Sequence, residues 1–60
     1  MNKNIPKDPM ILLSYVNLKL RDFYPSLDEM CKALDIDQNA LVQTLASIDY
    51  AYDPDSNRFV

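Results

Sequence analysis

SLDEMCKALDIDQNALVQTL, running from Ser26 to Leu45, is the stretch whose reading decides the fold. Ser26 and Glu29 make the S-x-x-E of a capping box, so a helix starts there. Leu27, Met30, Cys31 and Leu34 recur at the spacing of one helical face. Asp35 and Ile36 break that run. Asp37 then caps a second helix, with Leu41, Leu45 and Ile48 on its inner side and Ile36 placed to staple onto Leu41. Two short helices joined by a tight turn make a helix-turn-helix motif. The turn position usually holds Gly, because it needs a positive φ. Here it holds Asp35, one of the few other residue types that tolerate that backbone.

Upstream, residues 1–7 read as a flexible polar arm, with Ile5-Pro6 placed to dock against the core. Asp8-Pro9 is a strong helix start, an N-cap acid followed by Pro at the first helical position. Pro25 disfavours a helical residue before it, so this helix is expected to span 9–24. At 100° per residue, Leu12, Leu13, Val16, Leu20, Phe23 and Tyr24 share one broad face. Ile11, Tyr15 and Leu18 form a second, narrower stripe. A helix that is apolar on two sides must be covered on two sides. Either the hairpin or the Ile5 arm covers the second stripe, or it meets the same stripe of a second chain. The internal cover is the simpler expectation.

Downstream, the period changes. Tyr50-Ala51-Tyr52 reads as a strand, Asp53 to Asn57 as a turn, and Arg58-Phe59-Val60 as a returning strand. Asp53-Pro54 suits a type I turn, and Asn57 closes the loop in the left-handed conformation. A lone hairpin is not stable, so its aromatics should pack back on the helices. The expected fold is mainly α (α+β): a three-helix helix-turn-helix core, 9–24, 27–34 and 38–48, followed by a short C-terminal β-hairpin wing. Residues 8–60 form a single winged helix-turn-helix-like domain. Its expected core is Leu12, Leu13, Val16, Leu20, Phe23, Leu27, Met30, Leu34, Ile36, Leu41, Leu45 and Ile48.

Composition narrows the functions. The 60 residues include no Gly, no His and one Cys. Without Gly there is no glycine-rich phosphate loop. Without His, and with Cys31 alone, there is neither a structural zinc set nor an internal disulfide. Cys31 falls on an inner helix face and reads as an inert core thiol. Asp53, Asp55 and Asn57 match the opening of a calcium loop. Arg58 replaces the glycine that should follow, so turn chemistry is the better reading. No apolar run approaches the ~18 residues of a membrane span. The Met1–Ile5 segment lacks a signal peptide's apolar stretch, so the cytoplasm is the expected location. Ser14 and Ser47 have no histidine to activate them. We therefore expect no enzymatic activity, no cofactor, no metal and no membrane partner.

Taken together, IPKDPMILLSYVNLKLRD (Ile5–Asp22), SLDEMCKALDID (Ser26–Asp37) and YAYDPDSNRFV (Tyr50–Val60) resemble a family of bacterial proteins of about this size, catalogued as a domain of unknown function. The most specific part is Pro-Lys-Asp-Pro followed by Leu-Ser-Tyr-Val-Asn and Lys-Leu-Arg-Asp. The resemblance covers nearly the whole chain and implies a complete, self-contained protein. It carries no activity, ligand or catalytic residue. A wider similarity to winged helix-turn-helix domains implies a fold, and a fold alone does not imply a function.

Charge separates the two binding readings that remain. The net charge is −3. Residues 1–25 hold four cations against two carboxylates, and residues 26–60 hold two cations against seven. The helix that would serve as a recognition helix therefore lies in the acidic half. A DNA-binding regulator would use Gln38, Asn39 and Gln43 of the 37–48 helix on base edges, flanked by Lys32 and Arg58. That helix has no Lys or Arg, and Asp35 and Asp37 at its leading end would face phosphates. A protein-interaction or dimerisation module would use Ile11, Tyr15 and Leu18, with Val42 adding apolar area. A protein partner or a homodimer is the favoured expectation, and DNA the alternative.

Overall fold

The computed structural model describes residues 5–60. Three helices come first: α1 (Pro9–Asp22), α2 (Leu27–Leu34) and α3 (Gln38–Ala46). Two short strands follow, β1 (Tyr52–Asp53) and β2 (Arg58–Phe59), paired antiparallel. The expected arm, residues 1–7, lies largely outside the described residues. Of it, Ile5 packs against the core as its sequence suggests.

Each helix starts where a short polar side chain satisfies otherwise unpaired backbone amides. Asp8 Oδ1 accepts from the amides of Met10 (2.9 Å) and Ile11 (3.3 Å). Ser26 Oγ accepts from Glu29 N–H at 3.2 Å, and Asp37 Oδ1 from Ala40 N–H at 3.3 Å. The ends of α2 and α3 are closed by residues in the left-handed region, and neither is Gly. Asp35 (φ 56°) ends α2, and the Ile36 amide reaches back to Cys31 C=O at 2.9 Å. Asp49 (φ 68°) ends the α3 segment. There the Tyr50 amide bonds Leu45 C=O and the Asp49 amide bonds Ala46 C=O, both at 3.0 Å. That pairing is a Schellman closure, and it places the loosened last turn at 47–49, near the expected end at 48.

The buried residues are Leu12, Leu13, Val16 and Leu20 of α1, Leu27, Met30 and Cys31 of α2, Leu41 and Leu45 of α3, and Phe59 of β2. Three expected core residues, Leu34, Ile36 and Ile48, are only partly buried at its rim. Phe23 corrects the sequence reading outright, because it is 65% exposed. The helix stops at Asp22 rather than Tyr24. Phe23 adopts φ −128°, ψ −26°, off the helical path, so its angular position on a helical wheel no longer applies. Its ring turns outward beneath Lys19, whose Nζ lies 4.9 Å from the ring centre.

The hairpin is locked onto α1 by two asparagines. Ala51 and Val60 exchange backbone bonds of 3.0 and 2.9 Å, so Tyr52 and Phe59 form the pair without mutual backbone bonds. The N–H and C=O of Phe59 therefore point away from β1. Asn17 takes both: its Oδ1 accepts from Phe59 N–H at 2.8 Å, and its Nδ2 donates to Phe59 C=O at 3.2 Å. One side-chain amide thus stands where a third strand would be. Asn57 works at the other end of β2. Its Nδ2 donates to the C=O of Leu20 (3.1 Å) and of Tyr24 (3.0 Å). Its Oδ1 accepts from the Tyr52 hydroxyl at 2.6 Å, which in turn accepts from Leu27 N–H at 3.3 Å. The facing ends of α1 and α2 are thereby tied to the hairpin. The Asp53–Asn57 turn is held by Asp53, whose carboxylate accepts from Asp55 N–H at 3.1 Å and the Ser56 hydroxyl at 2.8 Å.

Candidate interaction surface

Because α1 gives one side to α2 and α3 and a flank to β2, its remaining side is free to carry a surface. Ile11 and Leu18 lie on that outer side, 59% and 45% exposed. The internal cover expected for the second stripe is therefore absent at both residues. Tyr15, the third member, sits at the stripe's edge. It is half-buried and packs against the core, with Lys19 Nζ 5.4 Å from its ring centre. Met10 is also exposed, one turn before Ser14 and two before Asn17 and Leu18. Across a shallow groove from Leu18 lies Val60, likewise exposed. Val42 does not join this surface. It stands on α3, half-buried against the core.

Charged groups frame the outer side of α1. At its C-terminal end Arg21 pairs with its neighbour Asp22, Nε to Oδ1 at 2.9 Å and the second guanidinium nitrogen to Oδ2 at 3.2 Å. That hydrogen bond holds the Asp22 carboxyl below the usual carboxylate range. Both groups stay in solvent, so the pair adds little stability. At the N-terminal end Asp8 is the exposed N-cap, while Lys7 precedes the helix and lines a groove with Leu12, Leu41, Asp35 and Asp37 on another side of it.

The alternative surface is the exposed side of α3. Gln38, Asn39 and Gln43 are all exposed there. The cations expected to flank them are placed less favourably. Lys32 Nζ lies 3.0 Å from Asp28 on its own helix. Arg58 belongs to the hairpin that packs on α1, where it shares a groove with Arg21 and Leu18. Cys31 is buried. Burial pushes its thiol up, and the carboxylates of Asp28 and Asp37 add to the effect. Among the described residues, no group of three or more His, Cys, Asp or Glu side chains could hold a metal ion. No helix among them is long and apolar enough to cross a membrane.

Sequence reasoning missed the Asn17 and Asn57 hydrogen bonds that seat the hairpin; it expected the hairpin's aromatics to pack on the helices, as Phe59 does, but left Phe59 off the expected core. The alternation of exposed Arg58, buried Phe59 and exposed Val60 was the available signal.

The molecule is thus a small α+β domain, three helices closed by an antiparallel hairpin, presenting one apolar helix side to solvent. Its sequence matches the family model described as "Domain of unknown function (DUF4250)" over residues 6–59. The chain belongs to that family. No curated protein matches it, and no solved structure does.

Proposed function

We propose that this chain is a non-enzymatic protein-interaction module, acting in the cytoplasm, whose contact surface is the outer side of α1. The observation that carries the reading is the exposure of Ile11 and Leu18 on a helix whose opposite side already fills the core. Single exposed apolar residues are ordinary. Here two large ones stand two turns apart on one helix side, with Met10 and the rim of Tyr15 beside them. Interface centres favour such Met, Tyr and aliphatic side chains and are depleted of charge. Arg21 and Asp22 stand at the C-terminal end of this face, where a polar rim belongs, and Lys19 lies along its Tyr15 edge.

The second reading, DNA binding through α3, draws on exposed Gln38, Asn39 and Gln43, residue types that pair with adenine. It is the weaker one because phosphate contacts supply most of the affinity for DNA. The α3 surface has no cation of its own, Asp35 and Asp37 lead it, and Lys32 is already paired.

The first reading predicts that the outer side of α1 is dispensable for folding. The double change Ile11→Glu and Leu18→Glu should shift stability in urea by less than about 1 kcal/mol, as surface substitutions do. A loss of more than about 2 kcal/mol would mean that the stripe supports the fold, and the proposed contact surface would fall with it.

A further inference from the structure

Both arginines of the chain, Arg21 and Arg58, line one groove, the one between α1 and the hairpin. Hydrogen bonds fix their level along it. Asn57 bonds the C=O of Leu20 and of Tyr24, and Phe59 bonds Asn17, so β2 runs antiparallel to α1. Arg58, between those two hairpin residues, therefore stands beside the last turn of α1, which carries Arg21. Val60, one residue beyond Phe59, stands nearer Ser14, with Leu18 on the opposite bank. The groove thus has a cationic end and an apolar end, and it measures about 950 Å³.

Its charge is opposite to that of the molecule. The chain carries −3 overall, yet among the described residues no Asp or Glu side chain lines this groove. Two guanidinium groups on facing banks repel each other unless an anion lies between them. Neither is strongly committed within the fold. Arg58 is exposed and makes no ion pair among the described residues. Arg21 pairs with Asp22, but that pair is exposed and weakly held, and it leaves further N–H donors on the same guanidinium.

The apolar end selects the kind of anion. A nucleic-acid strand sets its phosphates along a run of cations, and this groove has only its two arginines. Exposed Leu18 and Val60 suit an apolar side chain instead. Arg58 and Val60 are two residues apart on one face of the hairpin, with Phe59 turned the other way, and an extended peptide repeats that spacing. We propose that this groove holds an extended acidic segment of a partner protein. An Asp or Glu carboxylate lies between Arg21 and Arg58, and an apolar side chain two residues away lies between Leu18 and Val60. The proposal rests on the reading of the outer side of α1 as a protein contact surface, which Leu18 borders, and adds the chemistry of the partner.

The test is selection of a random heptapeptide display library on the full chain, followed by NMR titration with the enriched peptides. Those peptides should carry Asp or Glu two positions from an apolar residue and shift the amides of Arg21, Arg58 and Val60. The double change Arg21→Gln and Arg58→Gln should weaken their binding at least about tenfold. Both sites are exposed, and circular dichroism would confirm that the variant folds. Asp22→Asn removes the internal competitor for Arg21 and should tighten binding about twofold to fivefold, a gain that a merely damaged surface would not give. A library that yields no binder, or binders without an acid, would overturn the proposal. So would acidic binders that the double variant retains. A short single-stranded oligonucleotide that shifts Arg21 and Arg58 where no peptide does would overturn it too, since the groove would then take phosphates. Protein adducts from a photoreactive residue at position 18 that are unchanged in the double variant would overturn the acidic-segment proposal alone and leave the contact surface standing.

Discussion

Asn57→Ala should remove about 3 kcal/mol of stability, although the residue is only partly buried and lies in a turn. Two separate losses add up to that figure. Asn57 sits at φ 54°, where a residue with a Cβ is strained and Asn is among the best tolerated. Ala there should cost about 1 kcal/mol. The larger loss is the side chain. Its amide satisfies the carbonyls of Leu20 and Tyr24, which the end of α1 leaves without intrahelical partners, and it accepts from the Tyr52 hydroxyl. Three such bonds, each worth about 1 kcal/mol net, account for the rest once some rehydration is allowed. A domain of this length has only about 3–9 kcal/mol in total, so the variant should be close to unfolding at about 37 °C. Asn57→Gly separates the two effects. It keeps the left-handed backbone and loses the bonds, so urea denaturation should place it between the Ala variant and the unaltered chain. An Ala variant within about 0.5 kcal/mol of the unaltered chain would show that the network does not hold the hairpin.

Phe59→Ala should be more damaging still, by about 3–5 kcal/mol. The ring is 2% exposed and fills the space between α1 and the hairpin, tilted against Tyr52 with centroids 5.6 Å apart. Its removal leaves a cavity that nearby residues cannot close without moving β2. That movement would break the two Asn17 bonds to the Phe59 backbone. Phe59→Leu retains most of the apolar volume and should lose about 1.5 kcal/mol or less. Thermal unfolding followed by circular dichroism would rank the three chains. A loss below about 1 kcal/mol for the Ala variant would mean that the helices fold without the hairpin.

These two residues also mark where the sequence stops being readable. Local chemistry is legible wherever a residue acts on its own neighbourhood. Asp8, Ser26 and Asp37 cap the helices they precede, and Asp35 and Asn57 take the left-handed backbone expected of them. Asp49 does the same without a sequence signal, because nothing about the residue distinguishes it from an acid on the solvent face. On a helical wheel Asn17 is only a spacer between two apolar stripes. Its real partner is Phe59, 42 residues away, and no periodicity in α1 encodes that contact. Phe23 fails for a geometric reason. A wheel assigns it to the core only if the helix reaches it, and the chain leaves the helix one residue earlier.

The candidate surface follows the same rule. Helical spacing separates Ile11, Tyr15 and Leu18 from the core face. It cannot say whether another part of the chain lies over them, because that depends on where the hairpin docks. The hairpin docks on the Asn17 flank and leaves Ile11 and Leu18 exposed. Val42, expected to be exposed and to add apolar area, is half-buried against the core on α3.

Contact through the outer side of α1 is tested most directly by a photoreactive amino acid placed at Leu18 or, in a separate chain, at Gln43 of α3, and irradiated in native cells. The reading predicts discrete protein adducts from position 18 that disappear when Ile11→Glu is added on the same helix side, and no nucleic-acid adduct from position 43. Nucleic-acid adducts from position 43, with none of protein from position 18, would contradict it and make α3 the working surface.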